Sequence, residues 1–164
     1  MKIAIFLHGT TIMHKSALGQ PREVRVKQVI EEEGSVRNYE QYVPIGNAVK
    51  KLHTWKSQET EIVYVSSHET IDGVEKDKSV LKKYNFPEGE VLFRKGGENY
   101  KHVIERLMPD VLIEDDCESM GETTEMIYPN LKPGIKRKIK SIIVKEFQGI
   151  DHLPDSVGFL MKYV

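Results

Sequence analysis

Met1-Lys2-Ile3-Ala4-Ile5-Phe6-Leu7-His8-Gly9-Thr10-Thr11 opens the chain and decides how the rest is read. Its apolar run, Ile3–Leu7, stops at once on His8-Gly9. That is too brief for the apolar region of a signal peptide, and it has the length of a strand. Four similar runs follow: Ile62–Val65, Val91–Phe93, Val111–Ile113 and Ile142–Val144. All are rich in Val and Ile and are separated by segments long enough for helices. This is the pattern of strands buried on both faces of a parallel sheet.

The intervening segments carry helical spacing. One helix is expected over about Arg22–Glu33, after Pro21. A second is expected from Pro44 to about Gln58, with Ile45, Val49, Leu52 and Trp55 on one face. Pro44 suits a first helical turn, where its missing donor costs nothing. Val74, Val80 and Leu81 mark a third helix ending near Tyr84-Asn85. Tyr100, Val103, Ile104 and Leu107 mark a fourth, stopped by Pro109. Strand–helix alternation with right-handed crossovers predicts an α/β, Rossmann-like, doubly wound parallel sheet of about five strands. One domain is expected over residues 1–164.

Composition excludes several classes. The 164 residues include 24 basic and 25 acidic side chains, a net charge of −1, so no global field attracts nucleic acid or an anionic membrane. No run reaches membrane-span length. The lone cysteine, Cys117, rules out an internal disulfide and a cysteine-only zinc site, and it suits a reducing cytoplasm. Its acidic neighbours would raise its pKa, so packing is the simpler role. The basic stretch Lys132–Lys140 reads as a solvated face. A homo-oligomer is compatible with all of this.

In such sheets ligands collect outside the C-terminal strand ends. The first strand delivers His8, Gly9, Thr10 and Thr11. The second delivers Ser66, Ser67, His68 and Glu69, and the fourth delivers Glu114, Asp115 and Asp116. Lys101 lies on the helix feeding that fourth strand. Hydroxyls, a glycine turn, a lysine and paired carboxylates suit a phosphate held by donors and a divalent cation held by oxygens. Blander roles compete. Ser66 and Glu69 fit a helix capping box, and aspartates at 115 and 116 commonly cap a following helix.

The order of these features resembles the haloacid dehalogenase (HAD) superfamily over nearly the whole chain. That family opens with a strand ending in Asp-x-Asp-Gly-Thr, and Phe6-Leu7-His8-Gly9-Thr10 stands in that place. Its second motif, a strand ending in Ser or Thr, is matched by Val63-Tyr64-Val65-Ser66. Its lysine is best matched by Lys101, with Lys95 as the alternative. Its final acidic pair is matched by Val111-Leu112-Ile113-Glu114-Asp115-Asp116.

The resemblance implies a phosphate held by Gly9, Thr10, Ser66, Ser67 and Lys101, and magnesium held by Asp115 and Asp116. It also implies a small cap or flap over residues 11–43. The departure is as informative as the match. The nucleophilic aspartate is replaced by Phe6, and His8 takes the place of the acid/base aspartate, so the phosphoaspartyl route is closed and magnesium should bind weakly. His8 becomes the catalytic candidate, since imidazole can serve as base, acid, nucleophile or ligand. Two expectations follow: a hydrolase-like protein acting on a phosphorylated small molecule or nucleotide, or a non-catalytic protein recognising a phosphorylated metabolite or protein partner.

Overall fold

A computed structural model describes residues 1–164. Strands β1 (Lys2–Phe6), β4 (Glu61–Val65), β5 (Glu90–Leu92), β6 (Val111–Asp115) and β7 (Lys140–Val144) form one five-stranded sheet in the order β5-β4-β1-β6-β7. Every pairing in it is parallel. The chain starts at the centre, builds outward through β4 and β5, then returns to β1's other side for β6 and β7. Three intervening helices are α2 (Ala48–Lys56), α3 (Ile71–Lys83) and α4 (Tyr100–Leu107), and a short α5 (Pro133–Lys136) precedes β7.

Strand alternation sends Ile3, Ile5, Val111 and Ile113 to one face, where they meet Leu52 and Trp55 of α2 and Val80 and Leu81 of α3. Ala4, Val65 and Leu112 point to the other face, against Ile104 of α4 and Leu131. Both faces are therefore dry, which explains why the strands read as continuous apolar runs rather than alternating ones. Trp55 is fully buried, and its indole donates to the Pro154 carbonyl at 2.9 Å. No helix is long and apolar enough to cross a membrane.

Between β1 and α2, strands β2 (Ile12–Met13) and β3 (Val43–Pro44) form a separate antiparallel pair. Helix α1 (Arg22–Ile30) lies between them. Met13, Ala17, Val26, Val43 and Ile45 build a small core of their own with Phe147 from the loop after β7. This corrects the expected helix start at Pro44. Pro44 pairs with Ile12, and the Ile45 amide donates to the Thr11 carbonyl, which continues the extended path. Gly46 then turns with φ +53° and the helix begins at Ala48.

Gly9 closes the turn after β1. Its φ is +82°, and a Cβ there would lie 2.8 Å from Asp115 Oδ2 and 3.2 Å from Glu146 Cγ. Only glycine adopts that backbone without cost and lets β6 and the loop after β7 approach this closely.

Candidate functional site

The ends of β1 and β4 form a dense hydrogen-bonded centre. His8 Nε2 lies 2.7 Å from Asp77 Oδ1, and His8 Nδ1 meets the Ser67 hydroxyl. Asp77 comes from the middle of α3 and is fully buried. Its second oxygen accepts from Ser66 Oγ at 2.6 Å, and Ser66 Oγ in turn accepts from the His68 amide at 3.1 Å. Burial alone would raise the Asp77 carboxyl. The neighbouring His8 and the hydrogen bonds from His8 and Ser66 outweigh burial and hold it below the ordinary value. An ionised carboxylate can only accept, so His8 Nε2 carries the proton and Nδ1 presents its lone pair to Ser67.

Aromatic rings enclose this centre. Tyr39 stacks on His8 at 5.5 Å and meets His68 edge-on at 4.4 Å, while Tyr42 lies 5.2 Å from His8. Both tyrosines belong to the segment between β2 and α2, so this part of the chain leans over the strand ends. His68 is half-buried rather than a free surface residue, its Nε2 is 3.6 Å from Asp77 Oδ1, and that nitrogen has no hydrogen-bond partner. Burial, then the neighbouring His8, lowers its pKa.

Ser66 therefore does not cap the next helix, contrary to the capping-box reading. Its hydroxyl is committed to Asp77, and the cap of α3 is Thr70, which accepts from the Gly73 amide at 3.2 Å. Glu69 pairs instead with Arg94 at 2.7 Å. Arg94 lies over the Tyr100 ring at 4.1 Å, and Tyr100 packs edge-on against Phe6 at 5.4 Å. Phe6 thus ends β1 in an aromatic contact rather than a polar one. Lys101 stands in the first turn of α4, half-buried and free of any ion pair or hydrogen bond. The backbone amides of Thr10 and Ser67 also have no hydrogen-bond partner in the protein.

On the other side of β1 lies an acidic group. Thr10 Oγ1 donates to Asp115 Oδ2 at 2.8 Å, and the Cys117 amide donates to Asp115 Oδ1 at 3.0 Å. Asp116 accepts from the Glu146 amide at 3.0 Å and pairs with Lys145 at 2.9 Å. All four oxygens of the expected magnesium pair are thus engaged, one of them by an ammonium, and Phe6 offers no oxygen. Magnesium does not fit this arrangement without displacing those donors. Glu114 points away and accepts from the Ile127 and Tyr128 amides at 2.7 and 2.8 Å. Burial, reinforced by the nearby acids, pushes the Cys117 thiol up, which disfavours the thiolate form that nucleophilic attack uses.

Burial raises Glu114 and Glu146 to about 7, each against the hydrogen bonds it accepts, while nearby acids add to the rise. For a carboxyl raised in the folded state, the folded protein keeps a proton that the unfolded chain has released. Stability is then full below the unfolded pKa near 4.5 and is lost as pH rises toward 7. Each group can account for up to about 3 kcal/mol of that loss. Glu146→Gln should remove that residue's share of the fall in stability between pH 5 and 7.5, up to about 3 kcal/mol, because an amide fits both the Ser119 amide and hydroxyl that Glu146 now bonds. Urea midpoints across that range check it, and an unchanged slope would contradict it.

Sequence reading nominated His8, Gly9, Thr10, Ser66, Ser67, Lys101, Asp115 and Asp116. Around β1, the structure joins His8 to Ser67 and links Ser66 to the same acid, Asp77. It joins Thr10 to Asp115 on the opposite side. Asp77, Tyr39, Tyr42 and Arg94 were missed.

No protein-family model matches the chain, and no curated protein matches it. Among solved structures, a chain in the Pnkp1/Rnl/Hen1 complex is similar with TM-score 0.56 and 15% identity, over 88% of this chain and 46% of that one. A second structure, of the Pnkp1/Rnl/Hen1 RNA repair complex, gives TM-score 0.56 and 15% identity over 88% of this chain and 42% of the other. The present chain therefore spans less than half the length of these relatives. A Thermotoga maritima protein assigned as a beta-phosphoglucomutase has TM-score 0.44 and 13% identity, covering 98% of this chain and 96% of its own. Together with the parallel sheet, the first two similarities establish an α/β fold of the Rossmann-like kind.

Proposed function

We propose that the protein binds a phosphorylated small molecule or nucleotide over the ends of β1 and β4 and hydrolyses its phosphate ester without an aspartyl nucleophile. The reading rests on one observation: the imidazole of His8, at the end of the central strand, is held between Asp77 and Ser67. A histidine fixed by a buried carboxylate is oriented for proton transfer and stabilised when charged. The HAD resemblance supplies the substrate class, and the degenerate membership it implies is part of the proposal.

In this reading the water oxygen attacks phosphorus and the phosphorus–oxygen ester bond breaks. The water's proton leaves through the His8–Asp77 centre and reaches the departing oxygen, giving an alcohol and inorganic phosphate. The free amides of Thr10 and Ser67, the Ser67 hydroxyl and Lys101 hold the phosphate oxygens. Tyr39 and Tyr42, carried by the cap segment 11–43, exclude water and contact the rest of the substrate. Weak magnesium at Asp115 and Asp116 is given no step, because their oxygens are already engaged.

The second reading, a non-catalytic binding protein, is favoured by Phe6, which removes the usual nucleophile and packs on Tyr100. A thermal-shift screen of phosphorylated metabolites, followed by a phosphate-release assay on each stabilising compound, separates the two. Stabilisation is mass action and needs no chemistry. Stabilisation with release supports the hydrolase. Stabilisation with none supports the binding protein.

A further inference from the structure

His8, His68 and Asp77 offer three ligand atoms that all lie within 4.8 Å of one another. We infer that these three residues form a binding site for a divalent first-row transition-metal ion of the zinc class. Two imidazoles and one carboxylate suit such ions rather than magnesium, which prefers an all-oxygen shell. Three protein ligands would also leave a fourth position open, as catalytic zinc sites do.

The two distances to Asp77 are close to what the ion requires, while the His8 and His68 nitrogens, within 4.8 Å of each other, would draw together as it enters. Two ligand atoms held about 2.0 Å from a tetrahedral ion are about 3.3 Å apart. His68 Nε2 and Asp77 Oδ1 are 3.6 Å apart. His8 Nε2 and Asp77 Oδ1, at 2.7 Å, need to open by about half an ångström, with the Nε2 proton leaving as the ion enters.

Supporting partners are already in place. Ligating histidines commonly donate their other N–H to a neighbour, and ligating carboxylates are themselves hydrogen-bonded. With the ion on His8 Nε2, Nδ1 carries the proton and donates to Ser67 Oγ. Asp77 Oδ2 keeps its 2.6 Å bond from Ser66.

Two features are otherwise unexplained. His68 Nε2 is buried with no hydrogen-bond partner although it faces an acid. A buried nitrogen left in that state is costly unless something binds it. Gly73 sits in the first turn of α3, where glycine costs about 1 kcal/mol relative to alanine. A Cβ there would lie 2.5 Å from His68 Cγ and 2.6 Å from Nδ1, so the missing side chain is what lets the His68 ring lie against the helix and face Asp77.

Metal binding stands on this geometry alone. Its role would be to lower the pKa of the attacking water, with His8 and Asp77 serving as ligands in place of the proton acceptor described above, and that role rests on the proposed hydrolysis. Calorimetry with zinc chloride on metal-stripped protein tests the site. One equivalent should bind with micromolar affinity or better. His68→Ala and His68→Gln should each weaken binding at least thirtyfold, and Gly73→Ala about tenfold. His53→Ala, a histidine on α2, should leave binding unchanged.

No saturable binding, or binding insensitive to both His68 variants, overturns the site. Zinc binding that depends on His68, with no phosphate released from any ester in zinc-loaded protein, overturns the hydrolase and leaves the site standing. Phosphate release that survives chelation, in protein lacking His68-dependent zinc binding, does the reverse.

Discussion

Asp77→Ala should cost the fold about 3 kcal/mol, a Tm lower by about 9 °C, and should also abolish any turnover. The acid is fully buried and joins three groups: His8 at 2.7 Å, Ser66 at 2.6 Å, and His68 at 3.6 Å. Truncation leaves these polar groups inside the protein without their acceptor. That penalty exceeds the value of any one hydrogen bond, because each orphaned group bears its own desolvation cost. Asp77→Asn keeps the volume and one acceptor oxygen, so it should lose only about half as much stability. Its amide cannot stabilise a charged His8, so turnover should fall as far as in the alanine variant. Thermal melts of the three proteins test this, and an alanine variant within 0.5 kcal/mol of wild type, roughly the effect of an ordinary surface change, would contradict the role given to Asp77.

Gly9→Ala should cost about 3 kcal/mol from two separable sources. The backbone at φ +82° disfavours any side chain by about 1 kcal/mol. The new methyl would stand 2.8 Å from Asp115 Oδ2 in a packed corner, and overpacking of that kind costs about 1–3 kcal/mol more. Gly19 isolates the first source, because its φ is +74° and nothing lies within 4 Å of an added Cβ. Gly19→Ala should therefore cost only about 1 kcal/mol. Urea midpoints give both values. Equal losses at the two positions would mean that the turn after β1 does not press against β6.

The five strands were legible because burial on both faces leaves no choice but Val, Ile and their like. The strand ends were legible for the same reason: where an apolar run stops, the chain has reached the sheet's edge. That logic placed His8, Ser66 and Ser67 at the sheet's edge, where the structure has them. It missed Asp77, which looks like an ordinary polar residue in a polar helix. Its signal was register, since residue 77 lies three positions after Val74 and four before Leu81, on the buried face of α3. An acid on an apolar face needs a partner, and His8 is that partner.

Tyr39 and Tyr42 gave no such signal, because nothing local says which strand end a connecting segment will cover. The start of α2 was misread for a different reason. Ile45 fits the helical spacing of Val49, Leu52 and Trp55, yet its amide is used by Thr11 across the antiparallel pair. Tertiary pairing overrode a local period. The acids at 115 and 116 were correctly placed at the sheet's edge, but the sequence could not say that Thr10, Cys117, Lys145 and the Glu146 amide would occupy their oxygens.

In the proposed hydrolysis His8 does the work that an aspartate does in the family the sequence resembles. The direct measurement is phosphate release from an aryl phosphate by wild type and His8→Ala side by side, with circular dichroism showing both folded. The account predicts measurable release by the wild type and a loss of at least about a thousandfold in the variant, the scale on which general acid–base groups act together with their positioning partners. Equal release by the two proteins would contradict it.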